Sequence, residues 1–193
     1  MLAFQGGEET AFRRLVQRNQ GKVYAMIFRL IGDHARVEDL TQEVFLRVFR
    51  TAKRYKPMAK FSTWLYRISA NVALNAIRSQ RKIKLAGLDL PDEEDGSRWH
   101  RDVPDTHTLP PHDRLDAEEL QAKLLEAISG LPENQRIAIT LSQYEHLSYQ
   151  EISNILNCST MAVKSLLSRA RSNLRVALAR YLGPEFAKKL PNP

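Results

Sequence analysis

Apolar residues recur every three or four positions through the first 80 residues of the chain. This spacing places them along one face of a helix, so it predicts a series of amphipathic helices. Gly32 ends the first helix, and Asp33 is suited to capping the second. Pro57 interrupts the pattern, and Ser62 or Thr63 begins a third helix. The positions predicted to face the core are Phe12, Leu15, Val16, Val23, Met26, Ile27, Leu30, Val37, Leu40, Val44, Val48, Leu65, Ile68, Val72 and Ile77.

The last third of the chain carries the same helical spacing. Apolar residues along 120–131 predict one helix, which Gly130 and Pro132 end. A shorter helix is predicted for residues 133–145. Helices are thus predicted both in the first 80 residues and in the last third of the chain, and the chain has only 8 glycines in 193 residues. Together these observations indicate an all-α protein of two small helical modules.

A helix-turn-helix is the clearest local pattern in the second module, which ends in it. Ser148 and Glu151 match a capping box, in which the serine hydroxyl and the glutamate carboxylate each accept a hydrogen bond from a backbone amide. A polar Asn-Cys-Ser break follows, after which Ser159 or Thr160 caps the second helix. That helix runs to Leu182, where a Gly-Pro pair ends it.

The second helix of this motif would read duplex DNA, because a major groove has room for one helix. Its exposed positions carry Lys and Arg and no acid, whereas a merely solvated face usually mixes both signs. The alternative is a helical hairpin that only packs. The predicted DNA-binding residues are Ser159, Thr160, Met161, Lys164, Ser165, Ser168 and Arg169 near the helix start and base edges, with Arg171, Ser172 and Arg175 further along, toward phosphates.

Charge is distributed unevenly along the chain. The formal net charge is +7, but residues 1–84 carry +11, residues 85–119 carry −8 and residues 120–193 carry +4. The acidic stretch also contains four of the nine prolines and no apolar period, which indicates a linker. The predicted organisation is a first module over 1–84, an acidic linker over 85–116 and a second module over 117–193.

An acidic stripe lies on the second predicted helix. Asp39, Gln42 and Glu43 stand at i, i+3 and i+4, so they share one helix face. In a module of net charge +11, this stripe would bind basic groups of a partner. The alternative is pairing within the same helix, with Arg36, Arg47 or Arg50.

Aromatic and basic side chains alternate with an amide in the segment 61–71. Aromatic rings stack on exposed bases and cations follow a phosphate backbone, so the combination is typical of a surface for single-stranded nucleic acid. Core packing is the favoured interpretation for Trp64, and spacing leaves the place of Asn71 open. The predicted members of this surface are Lys53, Arg54, Lys60, Trp64, Tyr66, Arg67, Asn71 and Arg78.

The chain resembles the extracytoplasmic-function (ECF) group of bacterial sigma factors, in the sigma-70 family. The resemblance covers nearly the whole chain, with the acidic linker between the third and fourth matching segments. It rests on GGEETAFRRLV, DLTQEVFLRVFR, FSTWLYRISANVALNAIR, LPENQRIAITL and LSYQEISNILNCSTMAVKSLLSRARSNL, in this order.

This resemblance implies a promoter-specificity subunit of bacterial RNA polymerase. It implies that the acidic stripe docks on the clamp helices of the β′ subunit, and that the β flap is a further polymerase contact. The segment around Asn71 would open and read the minus-ten promoter element as single strand, and the helix-turn-helix would read the minus-thirty-five duplex. An anti-sigma factor, often membrane-bound, would cover both modules.

Three positions in the second helix of the helix-turn-helix depart from the family pattern. Met161 stands where glycine is common, Leu166 where arginine is common, and Ser168 where an aromatic residue is frequent. Because these positions lie at or near the DNA face, the resemblance carries over no particular minus-thirty-five sequence.

Sequence motifs for catalysis and metal binding are absent, since the chain has no GxxxxGK(S/T) loop, no HExxH and no CxxC. The expectation is a protein that is not an enzyme, binds no cofactor or metal, and leaves the chemistry to the polymerase. The single cysteine, Cys158, excludes an intramolecular disulfide. No run of about 18 apolar residues predicts a membrane span, and the expected location is the cytoplasm.

The competing hypothesis is a stand-alone helix-turn-helix regulator that binds duplex DNA as a dimer. It requires a dimerising element, and the sequence offers neither a heptad repeat nor an additional apolar face. A helical protein-interaction module is a third interpretation, and the aromatic and basic segment counts against it.

Overall fold

The computed structural model describes residues 1–58, 60–85 and 111–182, and within these ranges the chain forms eight α-helices and no strand. This confirms the predicted all-α fold class. The elements are α1 (Leu2–Gln5), α2 (Glu9–Ile31), α3 (His34–Thr51), a 3-10 helix (Ala52–Arg54), α4 (Phe61–Leu85), α5 (Pro111–Ser129), α6 (Glu133–Gln143), α7 (Tyr149–Leu156) and α8 (Thr160–Leu182). We call α1–α4 the N-terminal region and α5–α8 the C-terminal region.

The junction between α2 and α3 forms as the sequence predicts. Gly32 has a φ of 74°, a left-handed conformation that glycine adopts without steric cost, and its N–H donates to the carbonyl of Phe28 at 2.8 Å. Asp33 then accepts a hydrogen bond from the N–H of Ala35 at 3.0 Å. These two caps fix the turn between α2 and α3.

Two helix boundaries differ from the predicted ones by one or two residues, whereas α5 begins at Pro111 rather than near residue 120. Helix α4 begins at Phe61, one residue before the predicted start, and α6 ends at Gln143 rather than residue 145. Helix α8 ends at Leu182 as predicted, and the Gly-Pro pair proposed to end it lies outside the described residues. Such shifts are expected because helix ends fray and periodicity locates them poorly.

The acidic linker falls largely on residues 86–110, which lie outside the described part of the chain. Helix α5 begins at Pro111, so the last six residues of the predicted linker, 111–116, are helical. Proline is tolerated in the first turn of a helix because the N–H it lacks would have no partner there. The predicted module boundaries themselves stay predictions.

The short helix α1 was not predicted, because four residues are too few to show a period. Gln5 attaches it to the 3-10 helix, since its side-chain amide donates to the carbonyl of Ala52 at 2.7 Å and to that of Tyr55 at 2.8 Å. The start of the chain is therefore held against the end of α3.

The N-terminal region buries an apolar cluster between α2, α3 and α4. Most predicted core positions lie in it or pack on its edge, so the hydrophobic pattern located this core correctly. The buried members are Leu15, Val23, Ile27, Val37, Val44, Phe45, Val48, Leu65 and Val72, and the partly buried ones include Phe12, Val16, Leu40 and Ile68.

A second apolar cluster joins the two regions. Its C-terminal members come from α6, α7 and α8, and its N-terminal members come from α2 and α4, so the regions share one core. The sequence did not predict this contact, because an amphipathic pattern shows which face is buried but not against what. The central residues are Met26, Leu30, Tyr66, Ala70, Ala73, Ile137, Leu141, Ile152, Val163 and Leu167.

Arg136 closes this joint with a polar contact. Its guanidinium donates to the carbonyl of Leu30 at 2.8 Å, to that of Leu131 at 3.2 Å and to that of Ser129. The Leu30 carbonyl belongs to the last turn of α2, where helix carbonyls lack helical partners and a cation is favourable. Burial lowers the pKa of Arg136, and these carbonyls compensate by accepting its hydrogen bonds.

Candidate nucleic-acid interface

The capping box at the start of α7 is formed as predicted. The N–H of Glu151 donates to Ser148 Oγ at 3.3 Å, and the N–H of Ser148 donates to Glu151 Oε2 at 2.9 Å. Because the backbone and hydroxyl of Ser148 both donate to this carboxylate, the pKa of Glu151 is held below its ordinary value. The first helix of the helix-turn-helix therefore has a fixed start.

The turn between α7 and α8 is short and well defined. Asn157 has a φ of 52°, a left-handed conformation that asparagine tolerates better than most residues. Ser159 Oγ accepts from the N–H of Ala162 at 3.1 Å and caps α8, as one of the two predicted choices. Cys158 is half-buried and packs against the shared core.

Helix α8 separates a packing face from an exposed basic face. Val163, Leu167 and Ala170 are buried. Met161 is 72% exposed, Arg175 is half-buried, and the sequence of α8 contains no acid. The exposed predicted DNA-binding residues are Ser159, Thr160, Met161, Lys164, Ser165, Ser168, Arg169, Arg171 and Ser172.

The acidic stripe lies on α3, away from α8. Asp39 and Gln42 are exposed, whereas Glu43 accepts a hydrogen bond from Arg47 Nε at 2.7 Å. The intrahelical alternative thus applies to Glu43. Leu46, which is 50% exposed, extends this face by one turn beyond Gln42. Sequence reasoning missed Leu46, because periodicity does not separate an exposed leucine from a core one.

The aromatic residues of the segment 61–71 are packing residues in this structure. The ring centroid of Trp64 lies 4.9 Å from that of Tyr55 and 5.9 Å from that of Phe61, as the packing interpretation predicts. Tyr66 is only 6% exposed, and its hydroxyl donates to Glu145 of the C-terminal region. Burial, followed by this carboxylate, raises the pKa of Tyr66. Stacking of Tyr66 on a base is therefore incompatible with this arrangement of the two regions.

Asn71 and Arg67 are exposed on α4, and this places Asn71 outside the core. Lys53 and Arg54 are exposed on the 3-10 helix. All four residues are therefore exposed in this arrangement of the two regions.

Two further cations of the predicted set pair with glutamates of the C-terminal region. Lys60 Nζ lies 3.2 Å from Glu151 Oε1, and Arg78 Nε lies 2.9 Å from Glu133 Oε2. Their partners lie 91 and 55 positions away in the sequence, so no local pattern could have indicated them.

Within residues 1–58, 60–85 and 111–182, no group of three or more His, Cys, Asp or Glu side chains is placed to hold a metal ion. The helices in the same ranges are all too short or too polar to cross a membrane.

Comparisons with known proteins agree with this geometry. Residues 15–83 match the family described as Sigma-70 region 2, and residues 121–174 match Sigma-70, region 4. The chain is 36% identical over 167 residues to the ECF RNA polymerase sigma factor SigE of Mycolicibacterium smegmatis, covering 86% of this chain and 61% of that one. It is 34% identical over 176 residues to the ECF RNA polymerase sigma-E factor of Haemophilus influenzae, covering 86% of this chain and 87% of that one.

A solved structure shows the same fold. It is the co-crystal structure of the sigma factor RpoE with the anti-sigma factor NepR from Bartonella quintana. The TM-score is 0.66 at 20% sequence identity, and the match covers 87% of this chain and 96% of that one.

The chain contains both matched regions, and the second ends in a capped helix-turn-helix whose last helix has no acidic residue. These features define a DNA-binding regulatory subunit of the sigma-70 class. The chain belongs to the ECF group of RNA polymerase sigma factors within that family. As a sigma factor it serves as a promoter-specificity subunit of bacterial RNA polymerase, so the family that the sequence indicated is confirmed.

Proposed function

We propose that three helices of this sigma factor divide the work of promoter recognition. Helix α3 binds core polymerase, α4 binds the opened minus-ten strand, and α8 reads the minus-thirty-five duplex. The observation that carries this assignment is the exposed face of α8, which has no acidic residue. Helix α8 follows α7, whose start is fixed by a fully formed capping box. A helix presented in this way has the charge and the fixed orientation that major-groove docking requires.

The acidic stripe is the proposed docking site for the β′ clamp helices. Asp39 and Gln42 are exposed and would meet the partner directly, while Glu43 is held by Arg47 and would turn toward a partner cation on docking. Leu46 would add an apolar contact at the C-terminal end of this face. The C-terminal region would make the second polymerase contact, with the β flap.

For the minus-ten strand, we assign direct contacts to the exposed residues of the predicted set. Asn71 has paired donor and acceptor groups that suit a base edge, and Arg67 with the cations around it would follow the phosphates. Trp64 would support this surface indirectly, by packing on Tyr55. Tyr66 and the paired Lys60 and Arg78 would take part only after their contacts to the C-terminal region are released.

For the minus-thirty-five duplex, the exposed residues at the start of α8 would face base edges. Lys164 and Arg169 are the proposed base readers, and Arg171 with Arg175 would hold phosphates. The remaining proposed contacts are Ser159, Thr160, Met161, Ser165 and Ser168.

The polymerase would supply the chemistry, so the sigma factor itself would be no enzyme and would act in the cytoplasm where promoters are read. An anti-sigma factor is the proposed regulator. The family supports this partner, since a sigma factor of the same fold has been solved in complex with one.

Affinity for core polymerase tests the docking assignment. Asp39→Arg reverses the exposed charge of the stripe, and we expect at least about tenfold weaker binding by native mass spectrometry or fluorescence titration. Glu9→Arg is the matched control, because Glu9 is an exposed acid on α2 rather than on α3. Equal affinities for the two variants would overturn the assignment of docking to this stripe.

A further inference from the structure

Helix α2 carries an exposed face that the proposed function leaves unused. After Glu9 in its first turn, this helix contains five Lys or Arg residues and no further acid up to its end at Ile31. A helix face of this composition indicated DNA binding for α8, and the same physical argument applies to α2. The buried side of α2 includes Val23 and Ile27 and packs in the cluster shared with α3 and α4, so the exposed face lies on the opposite side of the helix.

Three of these cations form a row along the helix. Arg14, Arg18 and Lys22 stand four positions apart, and all three are exposed. Because an α-helix rises about 1.5 Å per residue, the row is about 12 Å long and has a cation about every 6 Å. Helices α5 and α6 also contact α2, and the three side chains stay exposed beside them. The row is therefore accessible to a partner.

The contacts of these cations within the chain are weak or missing. Arg18 and Lys22 have no ion-pair partner among the residues that the structure describes. Arg14 pairs with Glu8, and both side chains are about half exposed, so solvent screens this pair. An anionic partner that lies along the row therefore displaces little when it binds.

Gly21 borders the row, seven positions after Arg14. A Cβ atom at position 21 would meet nothing within 4 Å, so packing inside the protein does not require glycine there. Glycine weakens the interior of a helix, and here it also leaves the exposed face without a side chain next to Lys22. The backbone of a partner strand can therefore approach α2 closely at this point.

An exposed ring lies at the C-terminal end of the same face. Phe28 follows Gly21 by seven positions, so the two residues share this face of α2. The ring of His34 lies against that of Phe28, with 4.1 Å between the centroids and 31° between the planes, and His34 is exposed. Tyr24 Oη lies 3.3 Å from His34 Nδ1 and orients the imidazole. Phe28 thus supports a ring on which a nucleic-acid base can stack.

We propose that this face of α2 binds a single strand of DNA, with the three cations along its phosphates and a base stacked on His34. Cations that follow a backbone and a ring that accepts a base are the two elements of single-strand binding. The opened promoter supplies such a strand, and α2 would hold a part of it outside the segment assigned to α4. The contact would be independent of sequence, since phosphates carry no sequence information.

A double variant, Arg18→Gln with Lys22→Gln, tests the row of cations. Glutamine removes the charge and keeps a helix propensity close to that of Arg and Lys. The matched control is Arg13→Gln with Arg50→Gln, which removes two exposed charges from outside the row. Arg13 lies five positions before Arg18, about 140° around α2, and Arg50 belongs to α3.

The readout is the salt dependence of binding between the isolated protein and a labelled single-stranded DNA of mixed sequence, by fluorescence anisotropy. Each phosphate contact contributes about 0.7 to the slope of log affinity against log salt concentration, so the double variant should lower the slope by about 1.4. The control should keep the wild-type slope. Equal slopes for the two variants, or wild-type binding that does not depend on salt, would overturn the proposal.

A duplex of the same sequence separates this face from α8. The double variant of α2 should leave the salt slope on the duplex unchanged, whereas Arg171→Ala should lower it. A loss on the duplex as large as that on the single strand would overturn the assignment of α2 to single strands. If only Arg171→Ala fails to act as expected, the assignment of α8 fails and the proposal for α2 stands.

His34 tests the stacking contact separately. His34→Ala should weaken binding to the single strand by about fivefold or more, because it removes the ring on which a base stacks. His34→Phe keeps an aromatic ring at this position and should restore most of the affinity. An equal loss of affinity in the two variants would overturn the stacking contact.

Discussion

Asn71 is the single residue whose place the structure clarifies most. Its spacing left open whether it packs or binds, and its exposure on α4 removes it from the core. An exposed amide beside exposed cations has the donor and acceptor pair that a base edge requires. Trp64 and Tyr66 both pack, so an aromatic residue in a basic segment does not by itself indicate contact with nucleic acid.

Asn71→Ala should impair promoter opening and leave core binding intact. Loss of a paired hydrogen bond to a base costs about 1–3 kcal/mol, so the fraction of open complexes should fall about tenfold. Permanganate reactivity of the melted strand measures this fraction. Gln80→Ala, another exposed polar residue of α4, is the control, and an equal loss in the two variants would show that Asn71 has no special role.

Arg169 and Arg171 should separate base reading from phosphate holding. Arg169→Ala should cost about 1–3 kcal/mol on the preferred upstream duplex and relax specificity there. Arg171→Ala should weaken binding to all sequences alike and reduce the salt slope by about one. Holoenzyme binding to matched and mismatched duplexes checks both, and identical profiles for the two variants would contradict the assignment.

At the scale of elements, local signals located the helices and their caps well. Gly32, Asp33, Ser148 and Ser159 each form the cap that their residue type indicates, because capping depends only on nearby backbone groups. Helix α1 is the exception, since its stability depends on the distant contacts of Gln5 rather than on its own sequence.

The capping box makes α7 sensitive to acid. Because the pKa of Glu151 is lowered in the folded protein, its carboxylate stabilises the fold fully above its unfolded pKa, about 4.3. That contribution is lost as the pH falls through the lower folded value. Between about pH 7 and about pH 3, the wild-type melting temperature should therefore fall further than that of Glu151→Gln. Thermal unfolding followed by circular dichroism checks this, and parallel losses would contradict it.

At the scale of the whole molecule, the arrangement of the two regions is what the sequence could not supply. The pattern identified Met26 and Leu30 as core positions but gave no sign that they share a core with residues of α6, α7 and α8. The partners of Lys60, Tyr66 and Arg78 are similarly distant in sequence. Long-range pairs of this kind depend on how preformed helices dock, and helical periodicity carries no information about docking.

A shared core predicts that the two regions unfold together. Leu30→Ala leaves a cavity beside the C-terminal region and should cost about 2–5 kcal/mol of unfolding free energy in a single transition. Leu46→Ala, at a half-exposed position, should change it by only about 0.5 kcal/mol. Urea unfolding monitored by two probes measures this, and two separate transitions, with only one shifted by Leu30→Ala, would contradict a shared core.

Transcription in vitro with bacterial core polymerase on a library of genomic promoter fragments tests the central claim most directly. The account predicts transcripts that start at discrete sites only when this sigma factor is present, and whose amount falls with Asn71→Ala. A set of transcript starts that is the same with and without the protein would contradict it.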